Sequence, residues 1–141
     1  MLLNKENITE IIPQKAPFVM VDNLISADEN GFKSSFQVRN DNIFFKDKKL
    51  QEPALIENIA QTVAAGFGYV DRQTGGEPKI GFIGAISKLK VHVLPTLNSE
   101  ITTIVKHLYQ FENVYLVKGE NFCENQLLVE CEMKIVVQWK N

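Results

Sequence analysis

The run Pro53-Ala54-Leu55-Ile56-Glu57-Asn58-Ile59-Ala60-Gln61-Thr62-Val63-Ala64-Ala65 carries one acid, Glu57, among mostly small and apolar residues. Ile56, Ile59, Ala60, Val63, Ala64 and Phe67 recur at helical spacing, so this segment should be a helix with a packed face. Pro53 suits a helix start, and an acid in the opening turns is favoured by the unpaired N–H groups and the dipole. A carboxylate on such a helix can accept or deliver a proton, or activate water. A plainer reading competes with this one. Glu57 with Gln61, and Asn58 with Thr62, are i, i+4 pairs, and the four would then form an ordinary solvated stripe.

Other reactive residue types offer less. His92 falls on the polar side of an alternating segment beside Lys88 and Lys90, and His107 follows Lys106; both are expected to be solvated. Cys123 and Cys131 have no metal-ligand spacing and no neighbouring histidine, so buried free thiols are expected and no metal site. Gly75-Gly76 is a loop pair without the glycine pattern of a phosphate loop. No Gly-x-Ser-x-Gly elbow occurs, and no cofactor is expected.

The elements that must position Glu57 can be read from the rest of the chain. Its 141 residues, 45% hydrophobic and 23% charged, suit one domain spanning 1–141 with a real core. A net charge of −2 and a pI near 5.7 provide no basic field, so nucleic acid is not an expected partner. Met1–Glu10 lacks the basic and apolar regions of a signal peptide, and no apolar run approaches a membrane span. A reducing cytoplasm is the simplest home.

A short helix is expected over Ile8–Ile12, ended by Pro13. Phe18–Asp22 reads as a strand or its approach, Asp28-Glu29-Asn30-Gly31 as a turn, and Phe32–Val38 as a strand. Asn40–Glu52 reads as a long lysine-rich loop, and Gln73–Pro78 as another. Then come strands over Ile80–Val93, Glu100–Gln110, Asn113–Phe122 and Gln126–Trp139, the last two joined at Glu124-Asn125. In the final strand Val129, Cys131, Met133, Ile135, Val137 and Trp139 alternate with Glu130, Glu132, Lys134, Val136 and Gln138, so one face is buried. An antiparallel sheet of this size needs an apolar cover, and the 53–69 helix is the only candidate. The expected architecture is α+β, a hot-dog fold in which the sheet wraps one central helix. Small residues (Ala54, Ala60, Ala64, Ala65, Gly66, Gly68) would let helix and sheet approach closely.

Three segments, in order, resemble the hot-dog 3-hydroxyacyl-ACP dehydratases. They are Ile12-Pro-Gln-Lys-Ala-Pro-Phe-Val-Met-Val-Asp22, then Pro53-Ala-Leu-Ile-Glu57 with Ala60-Gln61, then Gly81-Phe-Ile-Gly84 followed by Lys88-Leu-Lys-Val. The chain is most similar to the branch found in aryl-polyene-type biosynthesis, with a shortened loop before the helix. The resemblance implies syn-elimination of water from a 3-hydroxyacyl thioester carried by acyl carrier protein or CoA. That chemistry needs a base for the C2 proton, an acid for the departing hydroxide, and a donor for the thioester oxygen. It makes Glu57 the catalytic carboxylate and Gln61 the helix glutamine of the motif, with N–H groups near Ala54, Leu55 or Gly84 for the oxygen. An apolar acyl tunnel would be lined by Phe18, Met20, Phe67, Phe82 and Ile83.

The chain departs from the family where a histidine is expected. The loop before the helix reads Phe44-Phe-Lys-Asp-Lys-Lys-Leu-Gln-Glu-Pro53, and the histidine position of the opening motif is Gln14, which can orient but not act as a base near neutral pH. Three readings follow: a dehydratase using Glu57 with Gln14 or a partner's residues, a non-catalytic hot-dog subunit paired with an active homologue, and an acyl thioesterase. An uncovered edge strand implies a homodimer, or a heterodimer with another hot-dog subunit.

Overall fold

The computed structural model describes residues 1–75 and 79–139. The alternation in the last segment becomes β8 (Gln126–Trp139), with Val129, Cys131, Met133 and Ile135 buried in register. It forms a hairpin with β7 (Val114–Cys123), turning at Glu124, whose φ of 55° is left-handed. The central helix α2 (Glu52–Thr74) begins with proline in its first turn and ends at left-handed Gly75. β5 (Lys79–Val91) and β6 (Glu100–Phe111) complete the long strands, while β1 (Asn23–Asp28) and β2 (Gly31–Gln37) form the opening hairpin. All pairings are antiparallel, in the order β1-β2-β6-β7-β8-β5, and α2 packs against all six strands. This is the hot-dog fold.

Close approach of helix and sheet requires glycine at two places. A Cβ on Gly66 would lie 2.3 Å from the Phe32 ring, and one on Gly119 of β7 would lie 2.2 Å from Ile59 Cγ2. Gly68, expected to face the sheet, seats Ile11 of the N-terminal segment instead, with a Cβ 2.3 Å from its Cγ2.

Several boundaries differ from the expectation for identifiable reasons. The first helix, α1 (Lys5–Ile8), shares only Ile8 with the expected 8–12 span; it starts three residues earlier because Asn4 and Asn7 cap it reciprocally. The expected 40–52 loop contains a small hairpin, β3 (Phe45–Lys46) with β4 (Lys49–Leu50), whose turn residues Asp47 and Lys48 are both left-handed. Gln51 donates through Nε2 to the carbonyls of Lys46 and Lys49, fixing that hairpin to the start of α2. The helix runs to Thr74, and the rest of the expected 73–78 loop, Gly76-Glu77-Pro78, lies outside the described residues. Phe18–Asp22 is an extended approach, and the strand begins at Asn23.

The core has two lobes. One gathers Ile8, Ile12, Val21, Leu24, Phe32, Ile59 and Val63 with the inner residues of β6–β8; the other gathers Met20, Phe36, Leu50, Ala54, Leu55, Ile101 and Leu128.

Candidate active site

α2 carries a polar seam on its buried side. Asn58, Gln61 and Thr62 are fully buried, which corrects the solvated-stripe reading for three of its four members; Glu57 alone stays half-buried. The physical reason is that the Phe18–Asp22 segment and the inner faces of β2 and β6 cover these positions and supply their partners. Asn58 Nδ2 donates to the Met20 carbonyl at 2.7 Å, and its Oδ1 accepts a short hydrogen bond from the Thr103 hydroxyl. The Thr62 hydroxyl donates to the Asn58 carbonyl at 2.7 Å and lies 2.7 Å from the Ser34 hydroxyl on β2. One strand further on, Asn121 Nδ2 donates to the Leu55 carbonyl and its Oδ1 accepts from the Val129 N–H, both at 3.0 Å. Buried polar groups are tolerable when each is paired, and this seam pairs them across α2, β2, β6, β7 and β8.

Glu57 sits at the open end of the seam. Its Oε2 accepts from Gln61 Nε2 at 3.0 Å, and the same nitrogen donates to the Phe18 carbonyl at 2.9 Å. Gln61 Oε1 accepts from the Met20 N–H at 2.6 Å. The segment crossing α2 is thus held at Phe18 and Met20, and Asp22 holds it at its far end. The Asp22 carboxylate accepts from the Gln37 N–H at 2.9 Å and from both terminal nitrogens of Arg39, at 3.0 and 3.3 Å. Asn42 Nδ2 also contacts Met20 Sδ at 3.2 Å. Phe18, whose carbonyl shares the Gln61 nitrogen with the Glu57 carboxylate, is itself exposed.

The structure brings Glu57, Gln61 and Phe18 together. Gln14 lies in the irregular stretch before that segment, half-buried, with Oε1 buried and without a hydrogen-bond partner among the described residues; no hydrogen bond joins it to Glu57. Ala54 and Leu55 are fully buried one turn before Glu57, and the Ala54 N–H already donates to the Gln51 carbonyl at 3.1 Å. Gly84 is the bulged residue of β5, between the pairs Ile83–Ile135 and Ala85–Lys134. Phe82 is opposite outward-facing Val136, so it lies on the sheet face away from α2, whereas Ile83 shares the inner face with Ile135. Phe67 is ten residues beyond Glu57, about 15 Å along the helix.

Neither histidine meets Glu57. His92 Nε2 lies 2.7 Å from Glu130 Oε2 on the outer face, and that hydrogen bond holds the Glu130 carboxyl below its ordinary range. His107, expected to be solvated, is half-buried. Its ring packs against Phe32, Phe67 and Tyr115 at centroid distances of 5.0, 5.8 and 6.3 Å, and its Nδ1 lies 2.8 Å from the Glu29 carbonyl. The inward register of β6, with His107 opposite buried Val117, puts it there. Burial pushes the Cys131 thiol up to about 11, with the Glu132 charge adding to the effect, so it stays protonated near neutral pH.

Sequence reasoning missed Asn58, Thr62, Thr103, Ser34 and Asn121 as partners in one network. A signal was present in the helix: Asn58 and Thr62 are in phase with Leu55, Ile59 and Gly66, the buried stripe, and not with a solvated one.

A family model for ApeP-like proteins, described as ApeP dehydratase, matches residues 6–139. The chain belongs to this family. Among curated proteins it is similar to the 3-hydroxyacyl-[acyl-carrier-protein] dehydratase FabZ of Caldicellulosiruptor bescii, 27% identical over 139 residues, covering 90% of this chain and 97% of that protein. Among solved structures it is similar to the dehydratase heterocomplex ApeI:P from Xenorhabdus doucetiae, with a TM-score of 0.82, 20% identity, and coverage of 95% of this chain and 91% of that one. A hypothetical thioesterase with coenzyme A from Streptococcus pneumoniae shares the fold at a TM-score of 0.66 and 10% identity, covering 84% of this chain and 87% of that one.

Proposed function

We propose that this chain is a hot-dog dehydratase subunit acting on 3-hydroxyacyl thioesters of an acyl carrier protein, with Glu57 as its acid–base group. The observation that carries the reading is the Glu57 carboxylate, half-buried and fixed by Gln61 beside Phe18 on the helix that the sheet wraps. In the reaction the C2–H and C3–O bonds break, a C2=C3 double bond forms, and the proton and hydroxide leave together as water. A carboxylate can deliver the proton that converts the departing hydroxyl to water, while a second group removes the C2 proton.

The second group comes from a partner in this reading. Within the chain His92 is paired with Glu130 and His107 is enclosed by aromatic rings, so neither is available to Glu57. Among the described residues β5 has β8 on one side and no strand on the other, and its inner-face residues Ile83, Ile86 and Val91 are exposed. Pairing of β5 with a histidine-bearing hot-dog chain would cover these residues and bring the missing base; the likeness to a dehydratase heterocomplex supports such a pair. Its place in this reading is the cytoplasm, with carrier-bound acyl chains.

Mass spectrometry of a 3-hydroxyacyl carrier protein tests the proposal, with this chain alone and with a histidine-bearing homologue. The expected result is water loss with the pair, falling about 100- to 10,000-fold in Glu57→Gln with little change in thermal stability. Undiminished water loss in Glu57→Gln would remove the assigned role. Free thiol release in place of water loss would favour thioester hydrolysis.

A further inference from the structure

The β3–β4 hairpin carries Lys46, Asp47, Lys48 and Lys49, a net charge of +2 (three lysines less one aspartate) in a chain of net −2. Lys46 and Lys49 are directly opposite in the ladder, where like charges repel across about 5 Å. Between them φ is 54° at Asp47 and 65° at Lys48, and the second position of such a turn favours glycine. All three lysines are exposed, and among the described residues none makes an ion pair, with Asp47, Glu52 or any other acid. On the outer face of the sheet, by contrast, lysines meet acids. Lys88 lies 3.3 Å from Glu132, and Lys118 and Lys90 are opposite Glu132 and Glu130. The hairpin cannot swing away to relieve its charge. Leu50 is fully buried, its N–H donates to the Pro95 carbonyl at 2.9 Å, and Lys49 bridges to Thr96. Gln51 holds the Lys46 and Lys49 carbonyls at 2.7 and 3.2 Å. Exposed Leu97 follows Thr96 and exposed Ile43 precedes Phe44, so apolar surface flanks the lysines.

We propose that this hairpin is a docking surface for an acidic face of the carrier protein, at the end of α2 that leads to Glu57. The identity of the partner rests on the function proposed above; the demand for an anion rests on the opposed, uncompensated lysines alone. A chain of net −2 gives an acidic protein no overall attraction, so positive charge must be concentrated where that protein lands. Gln51 is six residues before Glu57, about 9 Å along the helix axis, which puts the hairpin on the same end of α2 as the carboxylate. The lysines steer and orient the encounter, and Ile43 and Leu97 supply the apolar contact.

The binding test uses the full chain and an acidic acyl carrier protein bearing no acyl group. Lys46→Glu combined with Lys49→Glu keeps a like-charge pair in the hairpin, so folding should be unaffected. Affinity should fall about 10-fold or more at low salt, and the wild-type affinity should itself fall as salt is raised. Lys48→Gly separates docking from folding. It gives the turn its favoured Asp-Gly pair, so the melting temperature should rise while carrier affinity falls. In turnover with the histidine-bearing homologue, the double variant should raise KM for the carrier-bound substrate without changing kcat. Neither constant should change for the same acyl group on pantetheine. Carrier affinity indifferent to all three changes would overturn the proposal. An equal loss for a carrier-free phosphopantetheine thioester would assign the lysines to the phosphate of the arm, and would overturn docking of the protein. Salt- and lysine-dependent carrier binding without water loss from any pairing would leave this surface standing and remove the dehydratase reading. Water loss from the carrier-bound substrate with an unmoved KM in the double variant would do the reverse.

Discussion

At one edge of the sheet, Leu2 and Leu3 lie along β1: both N–H groups donate to the Leu24 carbonyl, at 2.8 and 3.1 Å, and the Leu24 N–H donates back to Leu3 at 2.9 Å. Leu3 is buried in the core, and the capped α1 follows directly. At the other edge, the thirteen residues of β5 have no strand beyond them among the described residues, and Phe82, Ile83, Ile86, Leu89 and Val91 are each between 42% and 49% exposed. Within the sheet β5 is held by its β8 pairing and by the outer-face contacts Lys88–Glu132 (3.3 Å) and His92–Glu130 (2.7 Å). The chain closes one edge with its own N-terminal residues and leaves a long apolar strand open at the other, and in the proposed reading this second edge is the one that pairs. Edges not meant to pair usually carry inward charges or proline, and between Gly81 and Val91 the inner-face positions Ile83, Ile86 and Val91 are all apolar.

The comparison can be broken from either side. The largest effect is expected at β5: Ile86→Lys puts a charge on the inner face opposite Met133 and should weaken assembly about 100-fold or more, read as a shift toward a chain of 16.0 kDa in light scattering. Circular dichroism should show the fold retained. Unchanged assembly would mean that this edge is not the pairing surface. At the closed edge Leu3→Ala should have the opposite profile, with stability lowered by about 2 kcal/mol in denaturant titration and the assembled mass unchanged. Loss of assembly there would erase the distinction between the edges. The smallest effect belongs to the outer-face tie. Glu130 is held below its ordinary value of 4.5 by His92, so its contribution is present at neutral pH and lost as pH falls through and below that value. Glu130→Gln should therefore lower the melting temperature slightly at pH 7, and the difference should vanish in acid. A difference that grew on acidification would refute this sign.

Much of the site was legible because its residue types are unusual for their place. Glu57 on an otherwise apolar helix drew attention to itself, and Gln61 one turn later was visible as its i, i+4 neighbour. Their surroundings were not legible in the same way. A polar side chain at helical spacing looks the same whether water or another stretch of the chain satisfies it, and only the packing of Phe18–Asp22 and β6 distinguishes the two for Asn58 and Thr62. The same ambiguity applied to the histidines: neighbouring lysines pointed to solvent for both, yet strand register turned His107 inward and His92 outward.

The sequence alone determined the elements whose cause is local. Period-two alternation made β8, the proline and small residues made α2, and the missing histidine before α2 was plain from residue identity. Tertiary structure alone decided which faces met water. The alternation of β5 reads like that of a buried strand, but its apolar residues are exposed because β5 is last in the sheet order. Gln61 acquired its donor role because residues more than forty positions away in the chain pass over it. Local spacing fixes the conformation of a segment; what covers that segment depends on contacts distant in sequence, and those contacts decide which of its polar groups can do chemistry.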